Sequence, residues 1–205
     1  NSTSKYINAN SSAISGVITD GGKFKWDTEK YPGMKDFKKF GPFAYTAKLR
    51  NGLFRNTGAC LSPQNAFYNS IGMETLGLRM ERVCDNAKTL AQFFATEYSD
   101  IEVNYPGLAG SKWHNIATEQ FGDKFGGIIT IRTGNKKRAF GIIDALKLPL
   151  IVSNIGDTKT LVIHPESTLN VHSTQEEKET AGVFDDLIRI SVGIEDIEDL
   201  IDDFK

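Results

Sequence analysis

An α/β fold is predicted for this 205-residue sequence by three features. Short apolar runs alternate with helical patterns through the second half of the chain. Apolar residues recur at Leu76, Met80, Val83, Ala87, Leu90 and Phe94, with spacings of 4, 3, 4, 3 and 4 that line one face of a long helix. A hydrophobic content of 40%, including 10% aromatic residues, is enough for a sizeable core.

Taken in order, Ala13-Ile14 followed by Ser15 to Asp20 predicts a strand ended by Gly21-Gly22. From Lys23 to Lys48 the pattern loses any steady period. Phe24, Trp26, Tyr31, Phe37, Phe40, Phe43 and Tyr45 lie scattered among lysines, Pro32 and Pro42, as in a long ordered excursion of the kind that covers a site. Phe43 to Arg55 predicts a helix closed by Gly58, and Ser62-Pro63 supplies an N-cap followed by proline at the first helical position. Gly72 and Gly77 are expected to kink or split the long helix near its start. That helix is expected to join two domains, giving residues 1–62, a linking region 63–97 and a smaller α/β unit 98–205.

The smaller unit reads as a strand at Ile101 to Tyr105, a helix near Lys112 to Phe121 and a strand at Gly127 to Arg132. A helix near Lys136 to Leu146 follows, then strands at Leu150 to Ser153, Thr160 to His164 and Leu187 to Val192. Ile194, Ile197, Leu200, Ile201 and Phe204 put one apolar stripe on a closing acidic helix. No internal repeat or low-complexity tract interrupts the pattern.

A net charge of −2 and a pI near 6.0 argue against a nucleic-acid partner. The charge is uneven: Thr174 to Lys205 holds eleven acids against three bases, a net of −8 that leaves +6 on the rest. No apolar run approaches the ~20 residues of a membrane span. Cys60 and Cys84 have neither metal-ligand nor redox spacing, which points to reduced thiols in a cytoplasmic protein. His114, His164 and His172 offer no metal-ligand pair, so no metal is expected. Asn1-Ser2-Thr3 and Asn10-Ser11-Ser12 match the glycosylation sequon and read as chance matches in such a protein. The chain opens at Asn1 inside what reads as a functional turn, so it is expected to be a piece of something longer.

That turn is Ser2-Thr3-Ser4-Lys5-Tyr6-Ile7. A lysine that condenses with an aldehyde cofactor is served by nearby hydroxyls that hold the cofactor's phosphate, and Ser2 and Ser4 stand three and one positions before Lys5. Five further blocks follow in fixed order: Arg55 to Pro63; Gly72-Met73-Glu74-Thr75-Leu76 with Leu78-Arg79-Met80; Val103 to Leu108; Asn154-Ile155-Gly156-Asp157 with Thr160 to Pro165; and Arg189 to Asp196.

Together the blocks resemble the Cys/Met-metabolism family of pyridoxal-phosphate enzymes, collinearly over nearly the whole chain. The resemblance implies the second half of a fold-type I pyridoxal-phosphate transferase. Residues 1–62 would be the C-terminal part of the large cofactor-binding domain and 98–205 the small C-terminal domain. It implies Lys5 as the catalytic lysine that holds pyridoxal 5'-phosphate and moves protons, with Ser2 and Ser4 on the phosphate. Arg189 would clamp the substrate carboxylate, a task suited to its planar fork, with Ser153 and Asn154 as the turn that meets the same carboxylate. Asn154-Ile155-Gly156-Asp157 and the excursion Gly21 to Lys48 are similar to the sulfhydrylase branch, whereas cystathionine-cleaving relatives usually show Ser-Leu-Gly in place of the former.

That branch implies γ-replacement on O-acetylhomoserine by sulfide or methanethiol. The alternatives are a cystathionine γ-synthase or γ-lyase of the same family, or a non-catalytic module. The resemblance also implies a homotetramer built from dimers, and an N-terminal partner segment carrying the aromatic that stacks on the pyridine ring and the acid that pairs with its nitrogen. The chain departs from the family at Ala9 and Asn10, where glycine and then histidine or glutamine usually stand, and at Leu169-Asn170-Val171-His172.

Overall fold

The computed structural model describes residues 1–205, and no helix or ladder forms before Pro32. Lys5 sits in a turn in which the Asn8 N–H donates to the carbonyls of Thr3 and Lys5, both at 3.0 Å. The strand expected over Ala13 to Asp20 does not form. Gly16 makes one isolated antiparallel bridge to Ser2, and Ile14 and Ile18 stand 88% and 62% exposed. A ladder needs a partner along its length, and here backbone bonds join only Ser15 and Val17 to the short stretch Asn1 to Ser4.

The excursion is ordered through its own aromatic residues. Trp26 stacks on Tyr45 at 5.6 Å and meets Phe24 and Tyr31 edge-on. Pro32–Phe43 forms 3-10 turns interrupted at Gly41, followed by α1 (Ala44–Lys48), a π-helical stretch Leu49–Phe54 and α2 (Arg55–Thr57), which stops at Gly58. Helix α3 (Pro63–Glu74) begins as expected: the Ser62 hydroxyl accepts from the Asn65 N–H at 3.2 Å, and Pro63 brings no N–H that needs a partner.

The break before α4 (Leu76–Glu97) falls at Thr75, between the two glycines and at neither of them. Along α4 the expected stripe is buried from Val83 through Ala87, Leu90 and Phe94. At its start the stripe turns: Leu76 and Met80 are half-buried, and the charged Arg79 faces inward. There α4 meets a row of backbone carbonyls, which suits a guanidinium better than a leucine.

Beyond α4 the chain forms β1 (Glu102–Asn104), α5 (His114–Phe121), β2 (Ile128–Arg132), α6 (Lys136–Ala145), β3 (Leu150–Ile151), β4 (Leu161–Ile163), α7 (Gln175–Thr180), β5 (Leu187–Ser191) and α8 (Ile197–Phe204). The strands make one sheet in the order β1-β2-β5-β4-β3, antiparallel except for β3 with β4. Each strand expected after α4 is present, shorter by one or two residues. Helix α7 was not anticipated, although its capping box, Thr174 with Glu177, is written in the sequence.

The side-chain period of two divides the sheet into two faces. Ile129 and Ile131 of β2, paired with Ile190 and Ile188 of β5, turn toward α4, α6 and α8 and join Leu90, Phe94, Ala139, Ile143, Leu200 and Phe204 in the core. Arg189, between the two isoleucines of β5, therefore points to the opposite face. No helix is long and apolar enough to cross a membrane.

An ion cluster ties the helices at the far end: Glu166 accepts from Lys136 on α6 at 2.9 Å and from Lys178 on α7 at 2.6 Å. These two ammonium groups hold the Glu166 carboxyl at about 2, below its ordinary 4.5. A carboxylate depressed in the folded state lends stability above its ordinary value and withdraws it as pH falls toward the folded value. Melting temperatures followed from pH 6 to pH 2 in the complete protein should thus fall less steeply in Glu166→Gln than in the parent, the difference arising below about pH 5. Parallel curves would refute this linkage.

Candidate functional site

The Lys5 turn is held from two sides, each by a glycine that lets backbone approach backbone. On one side a Cβ at Gly72 of α3 would lie 2.2 Å from the Ile7 carbonyl oxygen. Beside it, Arg79 donates through Nη1 to the Tyr6 carbonyl at 2.7 Å, through Nη2 to the Gly72 carbonyl at 2.6 Å and through Nε to Thr75 Oγ1 at 3.0 Å. No acid faces this guanidinium, and burial pulls its pKa down. Its charge is met by carbonyl dipoles instead.

On the other side Gly156, at φ 75°, presses on the Lys5–Tyr6 peptide: a Cβ there would lie 2.7 Å from Tyr6 N and 3.1 Å from the Lys5 carbonyl carbon. Its N–H donates to the Ser191 hydroxyl of β5 at 3.0 Å. The Thr158 N–H donates to the Ala9 carbonyl at 2.8 Å, and the Thr158 carbonyl accepts from the Ile194 N–H at 2.9 Å. Thr160 and Asn86 grip Glu195 at the back of the same loop, with Thr160 Oγ1 to Glu195 Oε2 at 2.9 Å and Asn86 Nδ2 to the Glu195 carbonyl at 2.9 Å. Below the turn the Tyr6 hydroxyl is buried against Gly127 and Ser191 without a well-formed hydrogen bond, and burial pushes its pKa up.

Between these supports the two expected charged groups come together. Lys5 Nζ donates to Asn154 Oδ1. Arg189 Nη2 donates to the carbonyls of Ser153 at 2.8 Å and of Asn154 at 3.1 Å. One residue pair thus carries both the amine and the guanidinium, although 184 positions separate them in sequence. Arg189 Nε is buried with no partner, and burial pulls the guanidinium pKa down. An unpartnered buried donor of that kind awaits an acceptor.

The upstream serines differ. The Ser2 hydroxyl is exposed, whereas Ser4 Oγ donates to the Ser15 carbonyl at 3.1 Å and accepts from the Ser15 N–H at 2.7 Å. To reach a phosphate, Ser4 must redirect its one proton; Ser2 need not. The amine, the open hydroxyl and the unpaired guanidinium donor fit an amino-acid substrate and a phosphorylated aldehyde that bonds to Lys5.

Sequence reasoning gave no role to Arg79, Glu195, Ser11 or Asp157. Arg79 carried a signal: it stands four residues before Val83, a charged residue in register with an apolar stripe. The others depend on contacts between distant loops, and nothing local marks them.

The model of the Cys/Met metabolism PLP-dependent enzyme family matches residues 1–205. The O-acetyl-L-homoserine sulfhydrylase of Corynebacterium glutamicum is 38% identical over 221 residues, covering 100% of this chain and 50% of that protein. The homocysteine synthase of Schizosaccharomyces pombe is 37% identical, covering 99% and 50%. A crystal structure of a putative O-acetylhomoserine (thiol)-lyase from Campylobacter jejuni, containing a pyridoxyl-lysine monophosphate, superposes with a TM-score of 0.87 at 32% identity over 98% of this chain and 51% of that one. The chain spans about half the length of the curated relatives it matches.

Two substitutions test the clamp on the lysine turn. Arg79→Met leaves the Tyr6 and Gly72 carbonyls without donors and should lower unfolding free energy by about 2–4 kcal/mol in denaturant melts. Ala9 sits at φ 80°, where a Cβ is strained, so Ala9→Gly should raise stability by about 0.5–1 kcal/mol. A destabilised glycine variant would show that the turn is not strained there.

Proposed function

Because the chain belongs to the Cys/Met metabolism PLP-dependent enzyme family, we propose that the protein to which it contributes is a pyridoxal-phosphate-dependent transferase. It replaces the acetoxy group at Cγ of O-acetyl-L-homoserine by sulfide or methanethiol, giving homocysteine or methionine and acetate. The observation that carries this reading is the meeting of Lys5 and Arg189 on Ser153-Asn154.

Arg189 receives the substrate α-carboxylate, for which its unpaired Nε is a ready charge-assisted donor in a partly dry setting. Fixing that end of the substrate aims its α-carbon at Lys5. Pyridoxal phosphate, when bound, supplies the electron sink for charge that develops at the α-carbon. Lys5 removes the α-proton at Nζ and later returns it, while Asn154 Oδ1 fixes the direction of the amine. A proton is then lost from the β-carbon and its C–H electron pair expels acetate as the γ C–O bond breaks; sulfide or methanethiol adds with its electron pair at the same γ-carbon, its proton being released while the β-carbon regains one.

Ser2 contacts the cofactor phosphate directly, and Ser4 joins it by turning its proton away from Ser15. In this reading residues 1–62 complete a large cofactor-binding domain, 63–97 links it to the small domain 98–205, and an N-terminal segment supplies the remaining cofactor contacts. The whole assembles as a cytoplasmic homotetramer.

The test is sulfide-dependent release of acetate from O-acetylhomoserine by the complete protein. Lys5→Ala should lower that rate by roughly 10²–10⁴-fold. Full activity in that variant would end the proposal.

A further inference from the structure

Three side chains run outward from the amine: Asn154, Ser11 and Asp157. Asn154 Oδ1 accepts from Lys5 Nζ, Asn154 Nδ2 donates to Ser11 Oγ at 2.6 Å, and Ser11 Oγ donates to Asp157 Oδ2 at 2.7 Å. Asp157 is itself fixed, its Oδ1 accepting from the Lys159 N–H at 3.0 Å. The row has a direction that chemistry imposes. An ionised carboxylate can only accept, so the single Ser11 proton goes to Asp157 and the oxygen is left with lone pairs for Asn154. A lone pair calls for an N–H, so Asn154 must turn its NH₂ toward Ser11 and its carbonyl oxygen toward Lys5.

Ser11 occupies a costly backbone state to do this, with φ 58°. Strain kept at a site is a pointer to function when the residue's side chain is used there. The other charges near the amine do not set the Asn154 amide: Arg189 contacts only its backbone carbonyl, and the Tyr6 hydroxyl lies below the turn against Gly127.

We propose that Ser11 and Asp157 are positioning residues that set the orientation of the Asn154 side-chain amide, so that Lys5 always faces an acceptor and never a donor. The inference rests on the function proposed above and adds how the amine is held. Without Ser11 the amide is free to rotate and to present N–H groups to a protonated nitrogen, which disfavours protonation of that nitrogen.

The experiment is a pH titration of the visible absorbance of the complete protein loaded with pyridoxal phosphate. Ser11→Gly should move the midpoint to lower pH by about half to one unit, and Asp157→Ala should move it in the same direction. Asp157→Asn, which retains an acceptor, should fall between these and the parent. In Ser11→Gly the relief of the positive φ offsets the two hydrogen bonds its hydroxyl gives up, so the variant should melt close to the parent, and a midpoint shift at near-parental melting temperature is not a folding defect. An unmoved midpoint in either Ser11→Gly or Asp157→Ala overturns the proposal. The function fails separately if the parent gives no absorbance band and borohydride traps no cofactor on Lys5.

Discussion

Everything at the site depends on where one turn of backbone is held. The Lys5–Tyr6 peptide lies between Gly72 with Arg79 on one side and Gly156 on the other, and at both glycines a single added carbon would collide with main-chain atoms. Contacts between backbones have little give, since neither party can change rotamer. Arg79 adds the directional part, because a guanidinium bound to the Tyr6 and Gly72 carbonyls fixes the turn against α3 and α4 at once. A lysine side chain is long and mobile; its useful position comes from having its Cα immobile.

The guanidinium across from the amine is delivered by a strand that serves two purposes. In β5, Ile188 and Ile190 are fully buried against the helices, while Arg189 and Ser191 use the alternate positions. Burial of the isoleucines contributes roughly 1.5–3 kcal/mol each. The same packing fixes the direction of the arginine, because a slip of one residue would exchange the two faces. Ser191 then reaches Gly156, so the strand also holds the loop that presses on the lysine turn. Core stability and site geometry are thus coupled through one element without sharing side chains.

Much of this was legible in the sequence. The helical stripe Val83 to Phe94, the Ser62-Pro63 start of α3, the strands after α4 and the closing helix follow from periodicity and capping, which are local signals. Lys5 and Arg189 were singled out through resemblance, and the structure brings both to Ser153-Asn154. What local reasoning misread was the segment Ala13 to Asp20: its apolar residues look like a strand, but pairing depends on neighbours that a pattern does not contain. The bond from Arg79 to Tyr6 and the row from Asp157 through Ser11 to Asn154 were illegible for a related reason: each joins residues more than 70 positions apart, and a contact over that separation leaves no local pattern.

The turn after Lys5 also shows how strain and contact are balanced. Ala9 and Ser11 both occupy positive φ, at 80° and 58°, a state that costs a non-glycine residue about 1–2 kcal/mol. Against that stand the Thr158 N–H on the Ala9 carbonyl, the Asn154 amide on Ser11 and Ser11 on Asp157, each worth about 0.5–1.5 kcal/mol or more where a charge takes part. These offsetting bonds all come from one loop, residues 154–158. The turn therefore keeps its strained shape only while that loop is docked, and the loop's own docking runs through Ser191 and Ile194 to β5 and the segment after it. A disturbance at the guanidinium end of the site, where Arg189 holds Ser153 and Asn154, must accordingly be felt at the amine, because the peptide units that carry one also restrain the other.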